Sequence, residues 1–326
     1  MNTLRATLRL RSALGTPLAA DTLFGHICWG LALNEGPEAV TDLLAATESD
    51  PPLVLSDPLP AGFWPVPVLP PMAHTDFEAL LARAARDRLT AYQRLKSLRK
   101  RTWLTHAVWT ELSPRLSPAA LAGALLDAPP PPALTAAAVP HATIDRLSGG
   151  TLAQHGFHFD RQWFPPGPLD FDLWIGTTLP TDRVRTLLEW GLAGGYGRDA
   201  SAGRGHITVE DLAPAALPTV PNPNAVMTLG PCVPAADDPA VGTWEIDVRV
   251  GRLGGPWSVA LADTPFKRPL VRLARGAVLL TDTPRPRLGR LVRGVHPTRP
   301  EVATSGWTLT LPVRLTEECL LCLRMN

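Results

Sequence analysis

The densest run of ligand-binding groups lies between Gly194 and Gly205, where five glycines are interspersed with Tyr196, Arg198, Ser201 and Arg204. Glycines let a backbone approach a ligand closely, and the two guanidinium groups and the hydroxyl are phosphate donors. Gly195-x-Gly197-x-x-Ala200 overlaps a dinucleotide fingerprint. That fingerprint, however, follows a strand and opens a helix, whereas this segment follows a predicted helix and opens a predicted strand. No Gly-Lys-Ser/Thr ends the run, which excludes a Walker loop. The structural alternative is a helix-terminus or hairpin loop. His26, His141, His206 and Tyr196 are isolated proton-transfer groups, residue types that usually serve packing, and no Ser–His–Asp arrangement is apparent. Cys319-x-x-Cys322 has zinc-knuckle spacing but lacks a second pair, with His296 an isolated extra donor. Its apolar setting reads as a C-terminal strand, so no metal or other cofactor is expected.

The charge pattern is more informative than the net charge of +1 over 326 residues. Between Ser12 and Ala82 stand nine acids and no Lys or Arg; from Arg83 to Arg101 there are eight bases and one acid; from Lys267 to Arg299, nine bases and one acid. A near-neutral average therefore does not exclude a polyanionic partner, because association responds to the local field. The nine acids would repel phosphate, so their region is expected to face protein or solvent. Of 31 cations 28 are Arg, whose planar fork suits phosphates and stacks on bases. GC-rich coding also enriches Arg, so the clustering rather than the count carries the information. The Arg83–Arg101 segment is either a solvated face or a dock for acidic protein or RNA. Hydrophobic residues at 45% exclude wholesale disorder, and four cysteines are too few for a disulfide scaffold. No window approaches 18 apolar residues, so a membrane span is not expected, and a reducing cytoplasm is.

The elements that must position these groups follow from periodicity. Leu4, Ala6, Leu8 and Leu10 alternate with polar residues, predicting a strand over Thr3–Arg11. Asp21 or Thr22 is expected to cap a helix presenting Leu23, Ile27 and Leu31, and Pro37 to open a second. A long basic helix is expected from Asp76 to Lys100, and Pro129-Pro130-Pro131-Pro132 reads as a stiff linker. His155–Trp163 and Leu169–Thr177 alternate like paired strands; Thr181 is expected to cap a helix through Leu192, and Ile207–Val209 to be a strand. The order strand–helix–strand–strand–helix–strand, with insertions, is the split βαβ or ferredoxin-like arrangement. Ala213–Pro223 reads as a linker to a mainly β second part, with strands over Thr243–Val250, Leu270–Thr281 and Trp307–Leu315. The expected class is α+β with domains 1–212 and 224–326.

Five segments, in order, carry a resemblance. Leu14-Gly15-Thr16-Pro17-Leu18 followed by Asp21-Thr22-Leu23-Phe24-Gly25 looks like the N-terminal segment of the RAMP proteins of CRISPR effector complexes. Ala142-Thr143-Ile144-Asp145-Arg146, with Leu147-Ser148-Gly149, resembles the Ile-Asp-Arg-Thr-Gly segment of the fourth-subunit family of type III-A complexes. Gly195–Gly205 is similar to that family's Gly-x-Gly-Lys-Asp-x-Ser-x-Gly-x-Gly loop, with Arg198 in place of Lys. Pro265-Phe266-Lys267-Arg268 and Gly276-Ala277-Val278 resemble its Pro-Phe-Lys and Gly-Ser-Val segments, Ala277 departing from the usual Ser. The resemblance spans Thr3 to about Leu315. It implies two ferredoxin-like domains, the second mainly β and degenerate, with the glycine-rich loop after the last helix of the first. The implied function is non-catalytic: holding the 5′ handle of a mature CRISPR RNA and bridging the large polymerase/cyclase subunit to a backbone RAMP subunit in antiviral defence. On the matched segments, the implied RNA-contact residues are Thr16, Phe24, His141, Thr143, Arg146, Tyr196, Arg198, Ser201, Arg204, Lys267 and Arg268. Tyr196 is expected to stack a base, and Arg146 to contact RNA or pair with Asp145. A metal-independent endoribonuclease processing precursor RNA is the competing reading, and a protein-only adaptor a third.

Overall fold

A computed structural model describes residues 1–131, 134–151, 157–167, 169–258 and 264–324. The chain opens with β1 (Asn2–Leu10), α1 (Ala20–Glu35), α2 (Pro37–Ser49) and the short strands β2 (Leu53–Leu55), β3 (Leu59–Pro60) and β4 (Phe63–Pro65). An excursion follows through α3 (His74–Ala84), α4 (Arg88–Leu98), β5 (Trp103–Thr105), α5 (His106–Leu112) and α6 (Pro118–Asp127). A hairpin of β6 (Thr135–Ala142) and β7 (Phe157–Phe164) leads back to β8 (Leu169–Thr177), α7 (Thr181–Leu192) and β9 (Ile207–Pro214). The remainder comprises β10 (Ala225–Thr228), β11 (Gly242–Thr243), β12 (Ile246–Arg249), β13 (Leu270–Leu273), β14 (Val278–Leu280), β15 (Arg287–Leu288), β16 (Leu291–Arg293), β17 (Ala303–Ser305), β18 (Thr308–Val313) and α8 (Glu317–Arg324).

The first sheet runs β2–β8–β1–β9, with β3 also on β8, all antiparallel; Leu4 faces Ile175 and Leu8 faces Phe171. Alternation along β1 buries Leu4, Ala6, Leu8 and Leu10 against Leu23, Ile27 and Leu31 of α1 and Val184, Leu187 and Leu188 of α7. The two helices meet at glycines: a Cβ on Gly30 would lie 2.6 Å from the Trp190 carbonyl carbon. The second sheet runs β11–β14–β10–β18–β15, and its Met227, Leu309 and Leu311 share one core with Trp64, Trp174 and the apolar faces of α3, α4 and α6. The architecture is α+β with open sheets.

Several expectations are corrected. The Asp76–Lys100 helix is two helices, broken after Ala84, because Asp87 accepts from the Thr90 amide at 2.9 Å and starts α4 afresh. Helix α1 starts from Ala19, not Asp21 or Thr22; its Ala20 amide instead donates to the buried Asp57 carboxylate at 2.9 Å, a cap from a distant segment. Thr181 lies inside α7, whose cap is Pro180. Strand β7 pairs with β6 and not with β8: β8 is buried along nearly its whole length and belongs in the sheet centre, whereas half of the β7 residues are exposed. His155 and Gly156, expected to begin that strand, and Pro132 of the proline run lie outside the described residues. Residues 213 and 214 still belong to β9, and Leu270–Thr281 is two strands, β13 and β14, separated by a turn. Residues 317–324 form a helix, not a strand, because Cys319 and Leu323 recur at i and i+4 and are both buried.

Candidate nucleic-acid interface

The glycine-rich loop joins α7 to β9 and is closed on itself by the Tyr196 amide donating to the Gly205 carbonyl at 2.8 Å. Tyr196 faces inward with 0% exposure. Its hydroxyl accepts from the Ala19 amide and donates to the Pro17 carbonyl, both at 2.9 Å, and its ring stacks on His26 at 5.2 Å between centroids. The Gly197 amide donates to His26 Nε2 at 3.0 Å, and burial pulls the His26 pKa below its ordinary value. The Arg198 amide donates to Thr16 Oγ1 at 3.0 Å. Gly15 is required by this closeness: a Cβ there would stand 2.3 Å from the Arg198 carbonyl oxygen. The Leu14–Leu18 segment and the glycine-rich loop are thus one locked unit, in which Thr16 positions the backbone of Arg198.

From this unit the guanidinium of Arg198 reaches β7, binding Asp160 Oδ1 at 2.5 Å and the Arg161 carbonyl at 3.0 Å. Arg204 lies over the Phe164 ring at 5.9 Å. Ser201 is exposed on the loop's outer side. The hairpin continues from this root to a turn in which the Asp145 carboxylate accepts from the Leu147 amide and from Ser148 Oγ, both at 2.9 Å. Those bonds hold the Asp145 carboxyl below the usual carboxylate range, that from the Leu147 amide foremost. Asp145 is therefore occupied with its own turn and does not pair with Arg146. Thr143 and Arg146 are exposed beside it, and Arg146 has no ion pair among the described residues.

Other sites expected from the sequence are placed elsewhere. Phe24 is 5% exposed within the first core, so no ring face is free for a base, and the same holds for Tyr196. Lys267 is partly buried, its Nζ donating to the Ala303 carbonyl at 2.8 Å and Thr304 Oγ1 at 2.9 Å, and burial pushes its pKa down. Arg268 is exposed and donates to the Gly294 carbonyl at 3.3 Å. Sequence reasoning missed His158, Asp160 and Arg161. The signal was the two-residue alternation of β7, which sets His158 and Asp160 on one face and Phe157 and Phe159, 64% and 63% exposed, on the other. The rings of Phe157 and Phe159 meet edge to face at 5.1 Å. His141 faces His158 across the hairpin, the imidazoles stacked at 5.3 Å.

The charge clusters also read differently in three dimensions. Of the nine acids between Ser12 and Ala82, six are paired: Asp21 with Arg272, Glu35 with Arg183, Glu48 with Arg293, Asp50 with Arg287, Asp57 with Arg275 and Glu78 with Arg88. Four of those partners come from the Lys267–Arg299 cluster, so much of that cluster neutralises the acidic region inside the chain. Glu38, Asp42 and Asp76 form no ion pair among the described residues.

The fold of the whole chain is one found in type III-A CRISPR-Cas assemblies. A chain in the crystal structure of a Csm1-Csm4 cassette in complex with pppApA superposes with a TM-score of 0.59 at 18% identity, covering 97% of this chain and 100% of the other. In the same cassette with cA4 the values are 0.59 and 18%, covering 97% and 99%. A chain of a Csm3-Csm4 subcomplex of the type III-A interference complex gives 0.54 at 14%, covering 96% and 100%. Csm4 is the component these assemblies have in common, and the fold of this chain is similar to that of a chain from each of them. No protein-family model and no curated protein matches the sequence.

Proposed function

We propose that this chain is a non-catalytic RNA-binding scaffold of a type III-A CRISPR effector complex, holding the 5′ handle of the mature CRISPR RNA and bridging the large polymerase/cyclase subunit to a backbone RAMP subunit. The observation that carries the reading is the end-to-end fold likeness to chains from two assemblies, one with Csm1 and one with Csm3, that share Csm4. The first part, 1–212, is read as a ferredoxin-like domain: its sheet order β2–β8–β1–β9 is the order a split βαβ unit takes. Residues 224–326 are read as a second, mainly β domain of the same kind.

The RNA surface is assigned to the outer side of the glycine-rich loop and the hairpin beside it, with Ser201, Arg204, His141, Thr143 and Arg146 as polar contacts. Phe157 and Phe159 replace Tyr196 as stacking groups, because their rings are exposed and single-stranded RNA is gripped by stacking and backbone contacts. Thr16 and Arg198 act by fixing the loop. A protein partner is supported by the apolar strip on β12 and β13, where Ile246, Val248 and Val271 are exposed on one face. Against nuclease chemistry stands the commitment of Tyr196 and His26 to each other and to the loop backbone. Among the described residues no helix is long and apolar enough to cross a membrane.

The test is retention of CRISPR RNA in the reconstituted complex by Arg146→Ala, Arg204→Ala and the Phe157→Ala/Phe159→Ala double variant, with fold checked by circular dichroism. Removing one phosphate-binding guanidinium should flatten the log affinity against log salt slope by about 0.7. Full retention by all three refutes the surface; cleavage of labelled repeat RNA in EDTA refutes the non-catalytic reading.

A further inference from the structure

We propose that the β6–β7 hairpin holds a divalent transition-metal ion of the zinc and cobalt class, ligated by the imidazoles of His141 and His158 and the carboxylate of Asp160. The strand register makes the set. His141 and His158 are directly opposite across the antiparallel pair, and Asp160, two residues beyond His158, shares their face. The Nε2 atoms of the two histidines both point at one oxygen, Asp160 Oδ2, at 3.8 Å and 3.6 Å. One donor atom from each residue lies within 4.8 Å of the others, and among the described residues this is the one group of three His, Cys, Asp or Glu side chains so arranged.

The three side chains do not form a finished hydrogen-bond network. Separations of 3.6 and 3.8 Å are beyond hydrogen-bond length, and His141 Nε2 is enclosed without any hydrogen-bond partner. Bonds of about 2.0–2.2 Å in a tetrahedron require donors roughly 3.3 Å apart, and the imidazoles, stacked 14° from parallel, reach this by turning their Nε2 edges toward one another. Two nitrogens and one carboxylate oxygen suit zinc, cobalt or nickel rather than calcium or magnesium, which prefer oxygen-only shells. The carboxylate is already oriented: Arg198 occupies Oδ1 and leaves Oδ2 toward the imidazoles, the role outer-shell partners play at metal sites. The His158 side chain is 56% exposed, so solvent reaches the site and can supply the remaining ligand. A bound ion would clip β6 to β7 at the level where Arg198 ties the hairpin to the glycine-rich loop. The site uses only this chain's side chains; His141 is shared with the proposed RNA surface, whereas His158 and Asp160 are not, and metal binding is measured without RNA.

The test is titration of the untagged full-length chain with Co2+, followed by visible absorption, and back-titration with Zn2+. The expected result is saturation at one Co2+ per chain with ligand-field bands that Zn2+ abolishes. His158→Ala and Asp160→Asn should each weaken Co2+ binding at least as much as loss of an outer-shell partner does, about 10–100-fold. Circular dichroism should be unchanged, and His158→Gln replaces His158→Ala if the latter misfolds. The Cys319→Ser/Cys322→Ser variant should bind as the parent does. Absence of saturable Co2+ binding overturns the assignment, as does unchanged affinity in both ligand variants or loss of binding in the serine variant.

Discussion

Replacing Tyr196 by Phe removes one oxygen from a side chain that has no solvent exposure. That oxygen accepts from the Ala19 amide and donates to the Pro17 carbonyl, both at 2.9 Å. Pro17 is exposed, so water can take over its carbonyl, but Ala19 is 8% exposed and its N–H is left unpaired. An unsatisfied buried donor costs about 1–3 kcal/mol, and with one group orphaned the expected loss is about 1–2 kcal/mol. Tyr196→Ala additionally empties the space against His26 and should cost about 3–5 kcal/mol, the range for removing a buried aromatic ring. Urea unfolding at neutral pH measures both as falls in the midpoint. A second readout comes from pH. Burial foremost, with Asp21 nearby, pushes the phenol above its ordinary pKa, so the folded chain keeps a proton that the unfolded chain gives up near pH ~10. The stability this contributes is complete below that pH and is lost as pH rises further; Tyr196→Phe should lack that share of the alkaline loss. The reasoning is refuted if Tyr196→Phe matches the parent in urea, or if Tyr196→Ala loses RNA with its midpoint unchanged. In that second outcome the ring would be stacking a base, an interaction of about 1–3 kcal/mol per base.

Gly205→Ala should destabilise strongly, because Gly205 has φ +67° and a Cβ there would lie 2.0 Å from the Tyr196 carbonyl oxygen; Gly203→Ala, at φ +80° with open space around it, should cost only the roughly 1–2 kcal/mol of left-handed backbone, and a reversed order in urea unfolding would contradict the loop geometry. Asp21→Ala takes one of two carboxylate partners from Arg272, whose side chain is 6% exposed, and should cost about 3 kcal/mol by the same measurement. Burial raises the thiols of Cys28 to about 12 and Cys319 to about 11, whereas Cys322 is exposed. Iodoacetamide at mildly alkaline pH should therefore label Cys322 first by mass spectrometry, and preferential labelling of Cys28 would contradict its placement.

Features carried by local periodicity were legible in the sequence. The two-residue alternation of Leu4 to Leu10 and the helical spacing of Val184, Leu187, Leu188 and Leu192 each lead to the observed element and its buried face. What was hidden depends on partners far along the chain. An aromatic residue among five glycines reads as exposed, but Tyr196 is buried by hydrogen bonds to residues 177 and 179 positions away. The helix break at Asp87 leaves the composition of the segment unchanged, and only the capping bond reveals it. The His141–His158–Asp160 group required the register of β6 on β7, for which hydrophobic pattern gives little guidance in strands this exposed. The acidic and basic blocks were visible as blocks; that much of each exists for the other was not.

That mutual neutralisation bears on the order in which the protein is made. Asp50 and Asp57 precede their arginine partners by 237 and 218 residues, and Glu48 precedes Arg293 by 245. At about 5–20 residues per second a ribosome takes roughly 10–50 s to cover such a gap. During that interval the first sheet and its helices can assemble, but Asp57, which burial alone would drive toward its protonated form, has no guanidinium to meet it. Until then it must be either protonated or left in contact with water, and Arg275 ends that choice by binding it at 3.0 Å. The last quarter of the chain thus serves as the counter-ion of the first. A polypeptide ended before Lys267 would leave Asp57, buried in the finished molecule, with no guanidinium to balance it.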